Sequence, residues 1–374
     1  MARAFGIIAS SIRRFRVEGL QEHRPVSAFS FLGRYRVIDF PVSNMSNSGF
    51  DRINVFVGMG KSQPRSLTEH LGTGRHYNIN SKRGKLQIVF ANLNVNNTIY
   101  NTDIHAYAEN IDILKRAHED YVVIAPNYMI YTQNYDELLQ KHIDSGADIT
   151  LLYHKVDNAD KAFMAVNVLN LNRQKGVKSI EHNLGNLADR NIFMDTYVMS
   201  KDLFINMVES AQKLSSAYSM SQIVSAKCDE LDIRGIQHKG YFAAITDLKS
   251  YVEANMSLLN TEVADELFKA NWPIYTKTTD AAPTQYYDDA CISRSIISNG
   301  CDIWGTVENS IIGRNVQIKE GAVVKNSIVL ANAEIGPGVV IENQVIDKWA
   351  RIIHTAKVIS DPENPGYVNR DDTI

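Results

Sequence analysis

Two hydrophobic rhythms divide the chain. Over about the first 250 residues, short apolar runs alternate with amphipathic stretches. Residues 5–9, 53–57, 121–125 and 148–153 are strand-length runs rich in Val, Ile and aromatic side chains. Residues 104–118 and 134–145 place apolar side chains at helical spacing, and the second stretch ends in Ser145-Gly146, a helix stop. Strands of this kind separated by helices predict a mostly parallel sheet covered on both faces. Such sheets take ligands at the carboxyl ends of their strands. A helix over residues 248–259 and a turn-rich stretch over 280–289 close this region.

From Cys291 onward the rhythm changes. Stepping by six, Ile312, Ile318, Val324 and Leu330 are apolar. So are Val323, Val329, Ile335 and Ile341, and a third register runs Val340, Ile346, Ile352 and Val358. Gly313, Gly321, Gly336 and Gly338 fall between them, where coils would turn. A six-residue apolar period predicts a parallel β-helix whose coils stack on one another. An antiparallel sheet also satisfies steps of six, and a register break near residues 330–335 leaves it as the competing arrangement. The expected organisation is an α/β domain over 1–250, a linker helix and loop over 251–290, and a β-helix over 291–374.

Composition narrows the function classes. The 374 residues carry 39 Lys and Arg against 42 Asp and Glu, so the net charge is 39 − 42 = −3. That balance gives no electrostatic footprint for nucleic acid or an anionic membrane as main partner. Cys228, Cys291 and Cys301 form no metal-ligand spacing and no disulfide framework. The first residues hold no signal-peptide core, and no run approaches the ~20 apolar residues of a membrane span. A cytoplasmic protein is expected.

The most specific signal is local. Gly33-Arg34-Tyr35-Arg36-Val37-Ile38-Asp39-Phe40-Pro41-Val42-Ser43-Asn44, with Asn47-Ser48-Gly49 after it, resembles a block of the glucose-1-phosphate adenylyltransferases, the ADP-glucose pyrophosphorylases. Ser66-Leu67, His70-Leu71 and the run from Tyr251 to Met256 extend the likeness. The resemblance implies a Rossmann-like nucleotidyltransferase domain followed by a left-handed β-helix. It further implies tetramers, Mg²⁺, ATP, glucose 1-phosphate and a place in glycogen or starch synthesis.

The chemistry of that family is missing where the likeness places it. Nucleotidyl transfer needs backbone amides around the phosphates, a cation clamp and carboxylates for Mg²⁺. The family's glycine-rich loop falls on Ser10, Ser11 and Ile12-Arg13-Arg14, with no glycine between Gly6 and Gly19. Its lysine of the first loop becomes Val26, and a further aspartate becomes His105. One metal aspartate becomes Tyr128, or Asn127 after a one-residue slip, and the other becomes Ala244. The sugar-phosphate lysine becomes Asn183. This pattern is similar to the non-catalytic GlgD-type subunits of the family. The resemblance then implies no cofactor bound by this chain, Mg²⁺ and ATP being used by a catalytic partner in a hetero-tetramer.

Arg34 falls where family members carry an effector-binding lysine, and with Arg36 and Arg52 it could form a site for a phosphorylated or otherwise anionic effector. The competing reading pairs these arginines with Asp39 or Asp51. Arg13, Arg14 and Arg16 could touch a phosphate or form a solvated face. His70, His76 and His105 read as packed or exposed, and Asp39 as a loop holder bonded to backbone amides. A regulatory, catalytically deficient subunit is the expected function. A weakly active adenylyltransferase and a stand-alone metabolite sensor are the rivals. A hexapeptide acyltransferase is disfavoured, because residues 291–346 contain no histidine.

Overall fold

The computed structural model describes residues 3–9, 15–59, 64–77, 79, 84–92, 101–214 and 219–374. The chain forms two compact units that interleave in sequence. The first comprises Met1–Arg16, Ile38–Thr246 and Ala270–Tyr275; the second comprises Val17–Val37, Asp247–Lys269 and Thr276–Ile374. The sequential division at residues 250 and 290 therefore gives way to an exchange of segments. Its cause is hydrogen bonding to the helix Leu248–Ser257, where the Tyr251 hydroxyl donates to the Ser30 carbonyl at 2.7 Å. The Leu32 amide donates to Asn255 Oδ1 at 2.9 Å. These bonds tie the small hairpin of Ser30–Phe31 and Tyr35–Arg36 to the second unit. Gly33 turns that hairpin at φ +67, and a Cβ there would lie 2.3 Å from Ser298 Oγ.

The first unit is built on a nine-stranded mixed sheet. Its strands are β1 (Ala4–Ala9), β2 (Arg52–Met59), β3 (Lys85–Asn92), β4 (Tyr121–Pro126), β5 (Ile149–Val156), β6 (Asn167–Leu171), β7 (Val177–His182), β8 (Arg190–Ser200) and β9 (Ile233–Gln237). The main order is β7-β6-β8-β4-β1-β2-β3, with β5 pairing β8 and β9 pairing β5. The neighbours β4, β1, β2 and β3 run parallel, whereas β8 lies antiparallel to β4, β5 and β6. The four apolar runs read from sequence all lie on strands. The amphipathic stretch 104–118 splits into helices Asp103–Glu109 and Ile111–Lys115 at Asn110, whose amide side chain bonds the carbonyls of Phe90 and Ala106. The stretch 134–145 becomes the helix Tyr135–Ser145, capped by the Asn134 side chain and stopped by Gly146 at φ 65.

The second unit carries a parallel β-helix of the left-handed hexapeptide type, made of three five-stranded parallel sheets that begin at Gln285–Tyr286, Cys291–Ser293 and Ile296–Ile297. Three inward columns fill its core: Ile303, Ile318, Ile335, Ile352; Val307, Val324, Ile341, Val358; and Ile312, Val329, Ile346, Val368. These columns explain the register break seen in the sequence. Steps of six run from Ile312 to Ile318 to Val324, but the next inward residue is Val329, five positions on. The middle coils thus advance 17 residues each, as from Val307 to Val324 to Ile341. Val323 and Val340 stand off the inward columns and are only half-buried. At the short corner Asn309, Asn326 and Asn343 adopt φ of 45, 46 and 55, a conformation asparagine tolerates.

Candidate functional site

Position 128 follows β4 by two residues. The Tyr128 side chain is 2% exposed, and its hydroxyl donates to Asp195 Oδ2 at 2.6 Å. The Phe15 ring packs beside it with centroids 4.9 Å apart. Asp195 sits in β8 at φ 41, where the register against β5 shifts between Phe193 and Thr196. Its other oxygen lies 3.4 Å from the Asn167 amide nitrogen. This carboxylate is therefore committed to a buried phenol and an amide.

Ala244 ends the strand Phe242–Ala244, which pairs antiparallel with Met129–Tyr131 and places Ala244 opposite Met129. The next amide, of Ile245, donates to the Tyr128 carbonyl at 2.9 Å. The two positions expected to carry metal carboxylates are thus neighbours, and both are neutral. A divalent cation of the Mg²⁺ kind needs anionic oxygens in near-octahedral array. A buried protonated phenol and a methyl group supply none, so the residues present do not fit that ion. Among the described residues, no group of three or more His, Cys, Asp and Glu side chains is placed to hold a metal.

Asn183 is 2% exposed and does a different job from a sugar-phosphate lysine. Its Nδ2 donates to the carbonyls of Ala159, Ala162 and Phe163 at 2.7, 3.2 and 3.1 Å, while its Oδ1 accepts from the Gly185 amide at 3.1 Å. The side chain clamps a loop in which Phe163 and Ala165 have positive φ. It has no donor left to offer a phosphate. Val26 lies in the second unit, 5% exposed in the short turn Val26–Ala28, and acts as a core residue there. Ser10, Ser11, Arg13 and Arg14 lie outside the described residues, and Arg16 is exposed.

The blocks that carry the resemblance persist as hydrogen-bond anchors. Fully buried Asp39 accepts from His70 Nε2 and from the Tyr77 hydroxyl, each at 2.6 Å. Two of its partners are thus side chains, in addition to the backbone amides that the sequence suggested as a possibility for this loop holder. Asn44 donates to the Tyr131 carbonyl and accepts from Trp272 Nε1. Tyr251 and Asn255 hold the hairpin described above. A motif can therefore stay recognisable for packing reasons alone.

The three effector candidates separate. Arg52 belongs to the first unit, and its Nε lies 3.6 Å from Glu119, so it is an ion-pair residue. Arg34 and Arg36 belong to the second unit but serve two places. Exposed Arg34 lines a cavity of about 490 Å³ together with Tyr35, Phe268, Ser298 and Arg314. The Tyr35 and Phe268 rings stack there at 5.5 Å, and the buried Ser298 Oγ has no hydrogen-bond partner.

Arg36 instead joins a basic cluster that the sequence did not reveal. Its centre is Lys348, whose ammonium is pushed down to about 7, first by burial and then by Arg36 and Arg24; Asp347 opposes this and Arg370 adds to it. Arg24 is 3% exposed and reaches Asp347 Oδ1 and Oδ2 through Nη2 at 2.7 and 2.5 Å, leaving its buried Nη1 without a hydrogen-bond partner. The Tyr367 hydroxyl donates to the same Asp347 at 2.5 Å. Burial and that carboxylate push the Tyr367 phenol up, so it stays a donor. Arg24 and Lys348 thus gather beside the Asp347 carboxylate, while Arg370 pairs with Asp371 at 3.1 Å. Arg24 and Arg36 stand more than 300 positions before Lys348, and no spacing rule links them to it.

A family model described as "Nucleotidyl transferase" matches residues 15–261, and one described as "GlmU-like, C-terminal hexapeptide" matches residues 282–367. The chain is 31% identical to a "Glycogen biosynthesis protein GlgD" of Geobacillus stearothermophilus, over 86% of this chain and 83% of that protein. It is 31% identical to a "Glucose-1-phosphate adenylyltransferase" of Lachnospira eligens, over 78% of this chain and 69% of that protein. It is 28% identical to one from Fervidobacterium nodosum, over 87% and 78%. Among the described residues, no helix is long and apolar enough to cross a membrane.

Proposed function

Since the chain belongs to the glucose-1-phosphate adenylyltransferase family of nucleotidyl transferases and is similar to GlgD, we propose that it is a catalytically deficient regulatory subunit. In this reading it works in the cytoplasm, in glycogen biosynthesis, within a hetero-tetramer. A catalytic paralogue binds ATP and Mg²⁺ and converts glucose 1-phosphate to ADP-glucose. The observation that supports the reading is Tyr128, a buried phenol bonded to Asp195 where the resemblance, read without a one-residue slip to Asn127, would put a metal carboxylate. A folded subunit without chemistry of its own can still bias its neighbours between conformations. The test is reconstitution: at equal catalytic-subunit concentration, adding this chain should change kcat or effector response by about 5-fold or more. Indistinguishable kinetics with and without it would end the proposal.

The regulatory input in this reading is an anion at the Arg36 and Lys348 cluster. Such an anion favours the charged form of Lys348, so binding above pH 7 must take up a proton. With a free-state value of about 7, sulfate affinity should fall roughly fivefold from pH 7 to pH 8 and level off below pH 6. Sulfate is the chosen probe because its own charge is constant in that range. Titration calorimetry in buffers of different ionisation enthalpy reads both the affinity and the proton. In Lys348→Met the pH dependence should vanish; a slope that persists would point to another titrating group.

A further inference from the structure

Two loops of the first unit close on each other beside position 183. Residues 157–166 join β5 to β6, and residues 183–189 join β7 to β8. Backbone bonds hold them together: the Ala159 amide donates to the Ala188 carbonyl at 2.9 Å, the Asn183 amide to the Val166 carbonyl at 2.8 Å and the Ala165 amide to the Asn183 carbonyl at 3.2 Å. The Asn183 side chain adds its bonds to the carbonyls of Ala159, Ala162 and Phe163. Phe163 and Ala165 sit at φ of 58 and 61 in this loop. Residues with side chains adopt that conformation rarely, and it persists where the surroundings fix it. Between the two, Met164 reaches over the second loop. A Cβ added at Gly185 would lie 2.7 Å from Met164 Cε and 3.1 Å from its Sδ, so the thioether rests directly on that glycine.

The Phe163 ring anchors the same loop on its other side. It stacks on Phe242 with centroids 5.6 Å apart at 17°, and Phe242 stacks on His154 at 5.0 Å and 26°. Phe242 begins the short strand that ends in Ala244. The loop is therefore fastened to position 183, where the resemblance would put a sugar-phosphate lysine, and to the strand of position 244, where it would put a metal carboxylate. What it presents there is apolar. Met164 is 40% exposed, and Leu184 and Leu187 on the facing loop are 80% and 54% exposed. A sugar phosphate entering here would exchange water for a thioether and leucine carbons, leaving its hydroxyls without partners.

We propose that Met164 is a built-in plug that, latched by Asn183, closes the sugar-phosphate half of the degenerate site, so that the chain takes up no glucose 1-phosphate there. Loss of a lysine alone would leave an open site of lower affinity, whereas a side chain lying on Gly185 occupies the space itself. In a mixed assembly such a chain would not compete with active subunits for their sugar phosphate. The inference rests on the family placement of positions 183 and 244 and is independent of the regulatory reading.

Calorimetric titration of the full chain with glucose 1-phosphate tests it, in excess sulfate to mask the basic cluster of the second unit. The parent should show no saturable binding below about 30 mM. Met164→Gly removes the plug and Asn183→Ala its latch; each should bind at about 3 mM or tighter, a gain of at least ~10-fold. Met164→Leu, which keeps the apolar volume, should behave as the parent. Circular dichroism checks the fold, and Met164→Gly guards against loss of Asn183→Ala, since Met164 is partly exposed. A second readout is local: with methionine methyl groups labelled with carbon-13, the Met164 signal, assigned through Met164→Leu, should stay in place when the sugar phosphate is added. Binding by the parent that leaves this signal in place lies elsewhere and agrees with a closed site. Binding by the parent that moves it, or no gain in either Met164→Gly or Asn183→Ala, would overturn the proposal.

Discussion

Pyrophosphate exchange by the isolated chain, with ATP, glucose 1-phosphate and Mg²⁺, is expected to run at least ~10³-fold below that of an active family member under the same conditions. The size of the deficit follows from what stands at each position. The Tyr128 phenol is bonded to Asp195, Ala244 offers only a methyl group, and Asn183 spends its amide on three carbonyls. Removing metal ligands and phosphate donors costs orders of magnitude because they stabilise charge that develops only in the transition state. Tyr128→Asp or Ala244→Asp alone should recover no exchange, since one carboxylate does not make a site and Asn183 stays turned inward. Chelator-sensitive turnover by the unmodified chain would instead establish the weakly active enzyme.

Arg24→Met should lower the stability of the chain by about 3–5 kcal/mol. The guanidinium and the Asp347 carboxylate are 3% and 0% exposed and meet at 2.5 Å. Removing the arginine leaves a buried carboxylate supported by the Tyr367 hydroxyl and the partly buried Lys348 ammonium. The double variant Arg24→Met, Asp347→Leu should regain most of the loss, because the unpaired charge is then gone as well. Urea unfolding of the two variants reads the difference. A single variant within about 1 kcal/mol of the parent would show that the pair contributes little.

What could be read from sequence follows the range of the physics involved. The four central strands were legible because a buried parallel strand needs only a local apolar run. The β-helix was legible because every coil repeats the same burial, and only the five-residue side hid the true coil length. Asn110 broke a helix that periodicity alone would continue, because its side chain had backbone carbonyls to bond. In the site, the identities at 128, 183 and 244 were visible, but not the bonds that those side chains make. The basic cluster was invisible, since Arg24 and Lys348 meet only through tertiary structure. Arg52 shows the converse: neighbouring in sequence to the candidate anion residues, it is spent on Glu119.

The exchange of segments between the two units also sets an order of events during synthesis. Residues 17–37 leave the ribosome more than 200 residues ahead of their anchors at Tyr251 and Asn255. At typical elongation rates of about 5–20 residues per second, that hairpin waits roughly ten seconds or longer for its partners. During this interval Phe29 and Phe31, both fully buried in the finished protein, have no core of their own to enter. The newborn chain therefore carries an exposed aromatic segment until the helix Leu248–Ser257 emerges, and this is where a chaperone would find it.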